Sequence, residues 1–343
     1  MKYDAVLVLA AGAFGTSIGS VLAENFKKVI FLVRSEDVFE GLKTFENKVY
    51  LPGQSLPQNI VPAKNFNEVK QELKGHSLDL MVSGLPTGVL QNYFEENQFV
   101  LSEFLKKDIP FVSLAKGIDP NTLEMPDDIF YENFQGFKEQ ICFLSGPSFA
   151  KEIVDKQITL VSVAGRNKDY LDTVSLMFQT SYFKIFKSYD VKGLLLGGAL
   201  KNILAIAGGI VEGLGFNHNT RAAMITRGIS EMLRYGEVFN ARPETFYGLS
   251  GMGDLILTTT GGLSRNKSFG LEIAKGRKAI EIIESQRSVV EGYKTTKAAK
   301  LIAEKFQIKA RIFDGVYAVL YKNQDPREVI SELMKLSPRF EID

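Results

Sequence analysis

One cysteine, two histidines and no tryptophan stand in 343 residues. The lone thiol, Cys142, excludes an internal disulfide, and with two imidazoles it is too small a donor set for a typical zinc site, so no metal is expected. An excess of either charge is also lacking. Lys and Arg number 41 against 40 Asp and Glu, a formal charge of +1. Nothing global therefore points to nucleic acid or an anionic membrane, and any anion must be bound locally. The opening MKYDAVLVLAAG has neither a basic n-region nor a long apolar h-region, because Asp4 interrupts it and a glycine turn follows at once. No export signal is expected, and the composition reads as that of a cytoplasmic enzyme. There is no low-complexity tract and no repeat at solenoid periods.

What the chain does have is a nineteen-residue apolar run, Gly193–Val211, with one charge, Lys201, in its middle beside Asn202. A lysine is seldom fully buried unless paired, and burial lowers its pKa toward the range useful for proton transfer. The run is long enough to cross a membrane. Its central lysine would cost at least about 2.5–3.5 kcal/mol on insertion scales. It also holds five glycines and lacks both an aromatic belt and a second hydrophobic segment to pair with. The expectation is a buried helix in a soluble enzyme, carrying one functional amine, with no stable membrane insertion.

Length fits two domains, each able to bury its own interior. The first half alternates short β-branched runs with amphipathic stretches, the pattern of a parallel sheet with crossover helices. Strands are predicted at Ala5–Leu9, Val29–Val33, Leu78–Ser83, Phe111–Leu114, Ile141–Leu144 and Thr159–Val163, with a helix over Thr16–Asn25. From about Asp190 helical periods dominate, through Gly193–Gly213, Arg221–Tyr235, Lys267–Lys275, Thr295–Phe306 and Pro326–Leu336. The expected class is α/β: a Rossmann-type dinucleotide-binding domain with a mostly parallel sheet over 1–189, joined near Ser188–Val191 to an all-α domain over 190–343.

Three constellations carry chemistry. The first strand leads into Ala10-Ala11-Gly12-Ala13-Phe14-Gly15-Thr16, a glycine fingerprint whose first glycine is alanine. Gly12 lets the backbone approach a pyrophosphate at a helix N-terminus, and Gly15 lets that helix pack closely on the strand. Alanine at position 10 suits the tight turn only with a negative φ. The second strand ends in Val33-Arg34-Ser35, where an acidic residue would hold a ribose diol. A guanidinium and a hydroxyl suit a 2′-phosphate better, which favours NADPH over NADH. Glu36 and Asp37 pull the other way, and a solvated loop arginine is the plain alternative. The third, Gly248-Leu249-Ser250-Gly251-Met252-Gly253-Asp254, is followed by Ser264-Arg265-Asn266. That hydroxyl, guanidinium and amide form a compact binder for a phosphate monoester, and Ser264 also suits the cap of a helix starting near Lys267.

Together these residues resemble the NAD(P)-dependent glycerol-3-phosphate dehydrogenases, especially the bacterial type. The likeness runs through the loop at 10–16, Asn47 to Gly53, Ala115-Lys116-Gly117-Ile118, Ser145-Gly146-Pro147-Ser148-Phe149-Ala150, Gly197 to Asn202, Thr226-Arg227-Gly228, Gly251 to Asp254, Ser264-Arg265-Asn266 and Val290-Glu291-Gly292. It departs at Ala10, at Phe14 where the family often has tryptophan, and at Phe216-Asn217-His218, where an acidic residue usually precedes the asparagine. The resemblance implies reversible reduction of dihydroxyacetone phosphate to sn-glycerol 3-phosphate for glycerophospholipid synthesis, and a homodimer as the expected assembly. By motif match, Lys201 is the proton donor and acceptor at the substrate C2 oxygen. Lys116, Gly146, Ser148, Asp254, Ser264, Arg265 and Asn266 match substrate-contacting positions. Ala13, Phe14, Arg34, Lys116, Ala150, Arg265, Val289 and Glu291 match cofactor-contacting ones.

Elementary chemistry leads to the same region. Hydride addition to a ketone develops negative charge on oxygen, which a cationic acid both stabilises and protonates. Lys116, after a strand, lies at the carboxyl edge of the sheet where open α/β folds bind ligands. If close to Lys201, it would help hold that amine below its ordinary pKa. Asp254 could orient either lysine, and Asn202 could be a polar anchor or a packing amide. The rivals are another two-domain β-hydroxyacid or sugar-acid dehydrogenase, against which Ser264-Arg265-Asn266 argues, and a non-catalytic NADPH-binding sensor, against which Lys116, Lys201 and Asp254 argue.

Overall fold

A computed structural model describes residues 2–285 and 290–337. Its ten strands are β1 (Tyr3–Leu9), β2 (Phe26–Leu32), β3 (Glu46–Asn47), β4 (Leu51–Ser55), β5 (Ile60–Ala63), β6 (Leu78–Ser83), β7 (Phe111–Ser113), β8 (Ile141–Ser145), β9 (Thr159–Gly165) and β10 (Phe183–Ser188). Eight form one sheet in the order β10-β9-β8-β7-β6-β1-β2-β5, while β3 and β4 make a small antiparallel pair. From β5 to β8 every neighbour is parallel. The chain thus starts mid-sheet and winds outward both ways, the order of a dinucleotide-binding fold. Then β9 reverses, antiparallel to β8, and β10 follows β9 in parallel. Ala5 to Leu9 of β1 are fully buried, as a strand covered by helices on both faces must be.

The boundaries depart from the sequence reading where turn chemistry overrides periodicity. The first helix is Ala13–Leu22 rather than Thr16–Asn25, because the glycine loop passes directly into helix at its cap Gly12. It stops early because Glu24 and Asn25 turn back, their N–H groups donating to the Val21 and Leu22 carbonyls, so that β2 begins at Phe26. Strand β5 carries Pro62, which reads against a strand but is tolerated at the sheet edge it occupies.

Every described element after β10 is helical, as the fold class required. The central helix, Val191–Gly213, is long and apolar enough to cross a membrane by composition, yet its apolar 18-residue window is entirely buried within the fold. Asp190 caps it, accepting from Gly193 N–H at 2.9 Å. The other Asp190 oxygen accepts from Arg242 N–H and the Thr245 hydroxyl, fixing the helix start. One continuous core joins the two halves: Leu7, Leu9, Phe111 and Phe143 from the sheet pack in the same cluster as Leu194, Leu200, Ile203 and Ile206.

The helix Arg265–Ala274 presses on the central helix through two glycines. A Cβ on Gly209 would stand 2.1 Å from the Lys267 carbonyl oxygen, and one on Gly270 would stand 2.1 Å from that of Ile206. Backbone here meets backbone, so neither side can yield by rotating a side chain. Gly209→Ala is expected to destabilise the protein by about 1–3 kcal/mol, the usual cost of overpacking. Thermal melting read by circular dichroism should show the lowered midpoint, and an unchanged one would disprove the close packing.

Candidate active site

The chemistry converges on Asp254. It opens the helix Asp254–Thr260, directly after a π-helical turn over Leu249–Gly253, and is 1% exposed. Each carboxylate oxygen accepts from a different lysine: Lys201 Nζ donates to Oδ1 at 2.7 Å and Lys116 Nζ to Oδ2 at 3.0 Å. Lys116 follows β7, donates also to the Gly146 carbonyl at 3.1 Å, and lies 5.2 Å from the centre of the Phe14 ring. The Gly146 carbonyl accepts as well from the Ser148 hydroxyl at 2.9 Å. The loops after β1, β7 and β8 and the middle of the central helix therefore meet around one carboxylate.

Two cations and one anion in dry surroundings perturb each other strongly. Burial pushes the Lys201 ammonium down to about 8, with Asp254 drawing it up and Lys116 pressing it further down. Glu291, the first residue of the helix Glu291–Phe306, has its carboxyl pushed up to about 7 by burial, against the pull of Arg265, Lys116 and Lys201.

These groups face a cavity of about 560 Å³. Gly12, Ala13, Phe14, Gly15, Ser148, Ala150, Ser264, Arg265, Asn266 and Glu291 also line it, so most of the residues singled out from sequence come together. Ser264 caps the helix Arg265–Ala274, accepting from Lys267 N–H at 3.2 Å. The Asn266 amide donates to Asn202 Oδ1 at 2.9 Å and accepts from Gly292 N–H at 3.0 Å. Asn202 thus both faces the cavity and holds Asn266. Gly146 is not among the lining residues and reaches the site through its carbonyl. Val289 lies outside the described residues.

A second cavity, about 670 Å³, adjoins the first and shares Ala10, Gly12, Tyr50 and Leu85 with it. Arg34 and Ser35 line it, apart from the lysines. The Arg34 guanidinium lies 3.6 Å from Glu96 and 5.4 Å from the Tyr93 ring centre, with both charged side chains largely exposed. An exposed pair of this kind is worth little, so the guanidinium exchanges partners at small cost. Lys64 lines the same cavity, paired with Glu36 at 2.8 Å. Sequence reading missed it because it follows the unrecognised strand β5.

Between the cavities stands the N-terminus of the helix Ala13–Leu22. No side chain caps it, and nothing lies within 4 Å of where a Gly12 Cβ would be. Free N–H groups facing open space fit a pyrophosphate, so the cleft suits a dinucleotide, with Gly12–Gly15 at its middle and Arg34 at one end. Gly15 is required by packing, since its Cβ would lie 2.7 Å from the Ala10 carbonyl oxygen. The condition set for alanine at position 10, a negative φ, is not met: φ is 71°, in the left-handed region. Ala10 N–H donates to the Leu32 carbonyl at 3.0 Å, and Asn47 Nδ2 donates to the Ala11 carbonyl at 2.8 Å. These bonds hold the loop in the shape its missing glycine would favour. Among the described residues no group of three or more His, Cys, Asp or Glu side chains is placed to hold a metal ion. Cys142 is buried, and burial pushes its thiol up to about 12.

Fold and cleft define a dinucleotide-dependent oxidoreductase. Residues 5–171 match the family model described as NAD-dependent glycerol-3-phosphate dehydrogenase N-terminus, and residues 190–331 match that of the C-terminus. The chain belongs to this family. It is 38% identical over 338 residues to the glycerol-3-phosphate dehydrogenase [NAD(P)+] of Syntrophotalea carbinolica, covering 98% of this chain and 99% of that protein. The protein of the same description from Leptospira biflexa is 39% identical over 329 residues, covering 95% and 96%. Among solved structures, the glycerol-3-phosphate dehydrogenase of Coxiella burnetii superposes with a TM-score of 0.85 at 29% identity, covering 98% of this chain and 99% of that one.

An alanine in the left-handed region costs about 1–2 kcal/mol, while a glycine there costs about 0.5–1 kcal/mol through the unfolded state. Ala10→Gly is therefore expected to raise the melting temperature slightly and leave cofactor affinity unchanged. Ala10→Val should lower both. A glycine variant that melts below the parent would show that the loop is not strained at this residue.

Proposed function

We propose that the enzyme reduces dihydroxyacetone phosphate to sn-glycerol 3-phosphate, reversibly, and so supplies glycerophospholipid synthesis. The observation that carries this reading is the buried ammonium of Lys201, held at 2.7 Å by Asp254 in the wall of a cavity that Ser264, Arg265 and Asn266 also line. The same cavity then offers both an acid and a phosphate binder. Family membership supports the same reaction.

In this reading Ser264, Arg265 and Asn266 hold the phosphate and orient the ketone toward Lys201. The chemistry that a reduced nicotinamide would supply when held by these residues is the hydride for C2. Lys201 Nζ stabilises the charge growing on the C2 oxygen and donates its proton there; in the reverse direction it accepts that proton. Asp254 keeps the amine aimed, and Lys116, on the other carboxylate oxygen, limits how far Asp254 raises its pKa. Gly12, Ala13, Phe14, Gly15, Ala150 and Glu291 are assigned to the cofactor, with Lys116 and Arg265 serving both ligands. Residues 1–189 and 190–343 are taken as the two domains; β10 ends at Ser188 and the central helix begins at Val191. The enzyme is read as cytoplasmic and homodimeric, with no nucleic-acid or membrane partner.

Lys201→Met, which keeps most of the volume, should lower turnover by about 10²–10⁴-fold while cofactor affinity stays near that of the parent. For the parent, kcat/KM for reduction should fall as pH rises through about 8, where Lys201 loses its proton, and that for oxidation should rise over the same range. The assay is the absorbance of reduced nicotinamide with dihydroxyacetone phosphate as substrate. A methionine variant keeping more than about a tenth of the parent rate would remove Lys201 from the role of acid.

Arg34, with Ser35, favours NADPH over NADH. A charge-assisted contact to a 2′-phosphate contributes about 1.5–3 kcal/mol, a preference of roughly ten- to hundredfold. Arg34→Asp should erase or invert it with little change in the KM for the ketone. Steady-state kinetics with both cofactors decide the matter, and a ratio unmoved by the substitution would assign Arg34 to solvent.

A further inference from the structure

Lys267 is a second buried lysine, 6% exposed, and it stands outside the chemistry described so far. It lies in the first turn of the helix Arg265–Ala274, immediately after Ser264-Arg265-Asn266. Each of its polar groups is engaged. Its N–H donates to Ser264 Oγ, its carbonyl lies against Gly209 of the central helix, and its ammonium donates to the Thr260 carbonyl at 3.0 Å. The same ammonium pairs with Glu212, again on the central helix, at 3.0 Å.

Thr260 is the last residue of the helix that Asp254 opens. The Lys267 bond to its carbonyl is therefore a cation at a helix C-terminus, satisfying one of the acceptors such an end leaves over. It also closes a loop. Residues 261–264 leave Thr260 and lead into the helix that carries Lys267, and Gly262 among them would leave an unclasped backbone many conformations. Gly261 is fixed, its N–H donating to the Leu257 carbonyl at 2.8 Å, but a Cβ built on Gly262 would meet nothing within 4 Å, so the freedom lies at Gly262. Ser264 ends this turn, and Arg265 and Asn266 open the helix after it, so the turn delivers the three residues assigned above to the substrate phosphate.

We propose that Lys267 is a positioning residue for anion binding: its ammonium clasps the 260–267 loop shut, and through it sets Ser264, Arg265 and Asn266 for a phosphate monoester. The inference rests on the phosphate reading above and deepens it. Glu212 retains a second partner, Arg221 at 2.7 Å, so removing the lysine charge does not strand that carboxylate. What is lost is the clasp. An anion must then order the loop on binding, and affinity falls accordingly.

The test compares Lys267→Met, Lys267→Arg and the parent on dihydroxyacetone phosphate and on unphosphorylated dihydroxyacetone, with competitive inhibition by inorganic phosphate measured alongside. The methionine variant should raise the KM for the phosphorylated ketone and the inhibition constant of phosphate by about tenfold or more, as loss of a charge-assisted bond implies. Its kcat should change far less, and its kcat/KM on dihydroxyacetone should stay near the parent value. Arginine, which can reach both oxygens, should restore most of the phosphate affinity. An equal loss on both ketones would overturn the proposal by making Lys267 a general support of the fold, and an unchanged phosphate constant would overturn it outright. If the parent itself failed to distinguish the two ketones, the phosphate reading would fall first and this one with it. Should the methionine variant not fold, Lys267→Gln, which can still donate to Thr260 but carries no charge, is put through the same comparison, and an intermediate phosphate constant is expected.

Discussion

The buried carboxylate of Asp254 is the joint on which the rest depends. One of its oxygens takes a lysine from the sheet side and the other a lysine from the helical side. Without that anion, Lys116 and Lys201 would be two ammonium groups facing each other in a medium that solvates neither, and one would have to give up its proton or move apart. The carboxylate therefore sets three things at once: the charge state of the cleft, the direction of the Lys201 amine, and the distance between the sheet edge and the central helix. Close approach at this joint also needs glycine. A Cβ on Gly198 would sit 2.6 Å from Ser145 Oγ, and one on Gly197 would sit 2.7 Å from the Ser250 carbonyl oxygen.

Charge is distributed unevenly along the cleft. At the inner end the ionisable groups are buried and tied to one another, so their proton affinities depend on the neighbouring side chain; Glu291 responds to Arg265 and both lysines. At the outer end Arg34 and Lys64 each hold an exposed acidic partner, Glu96 and Glu36. Salt screens such pairs readily. The inner groups are suited to moving a proton, and the outer ones to exchanging one anion for another.

How much of this was legible in the sequence depended on whether a residue broke a local pattern. Lys201 was legible because a charge interrupts an apolar run, and the parallel sheet because β-branched runs alternate with amphipathic ones. Lys64 was not, because the strand before it contains Pro62 and is defined by pairing with β2 across the sheet. Nor was Lys267: in Ser-Arg-Asn-Lys-Ser it reads as the solvated start of a helix, and only the fold brings Glu212 and Thr260 to it. The φ of Ala10 depends on bonds to Leu32 and on the position of Gly15, which local preference does not contain. Asp254 was found by its glycine-rich neighbourhood, but that it would hold both lysines was a matter of distance.

The reversal of the sheet after β8 has a geometric consequence. Because β9 and β10 run opposite to the other strands, the chain leaves the sheet at Ser188 on the edge away from the cleft. The central helix must then climb back along the sheet. At 1.5 Å per residue, the ten steps from Val191 to Lys201 make about 15 Å, close to the roughly 17 Å spanned by a five-residue strand such as β8. The backward strands thus act as a ruler. They start the helix one strand-length below the cleft, so that its buried middle arrives level with Lys116 and Gly146, and the amine projects from the shaft of the helix rather than from a fraying end.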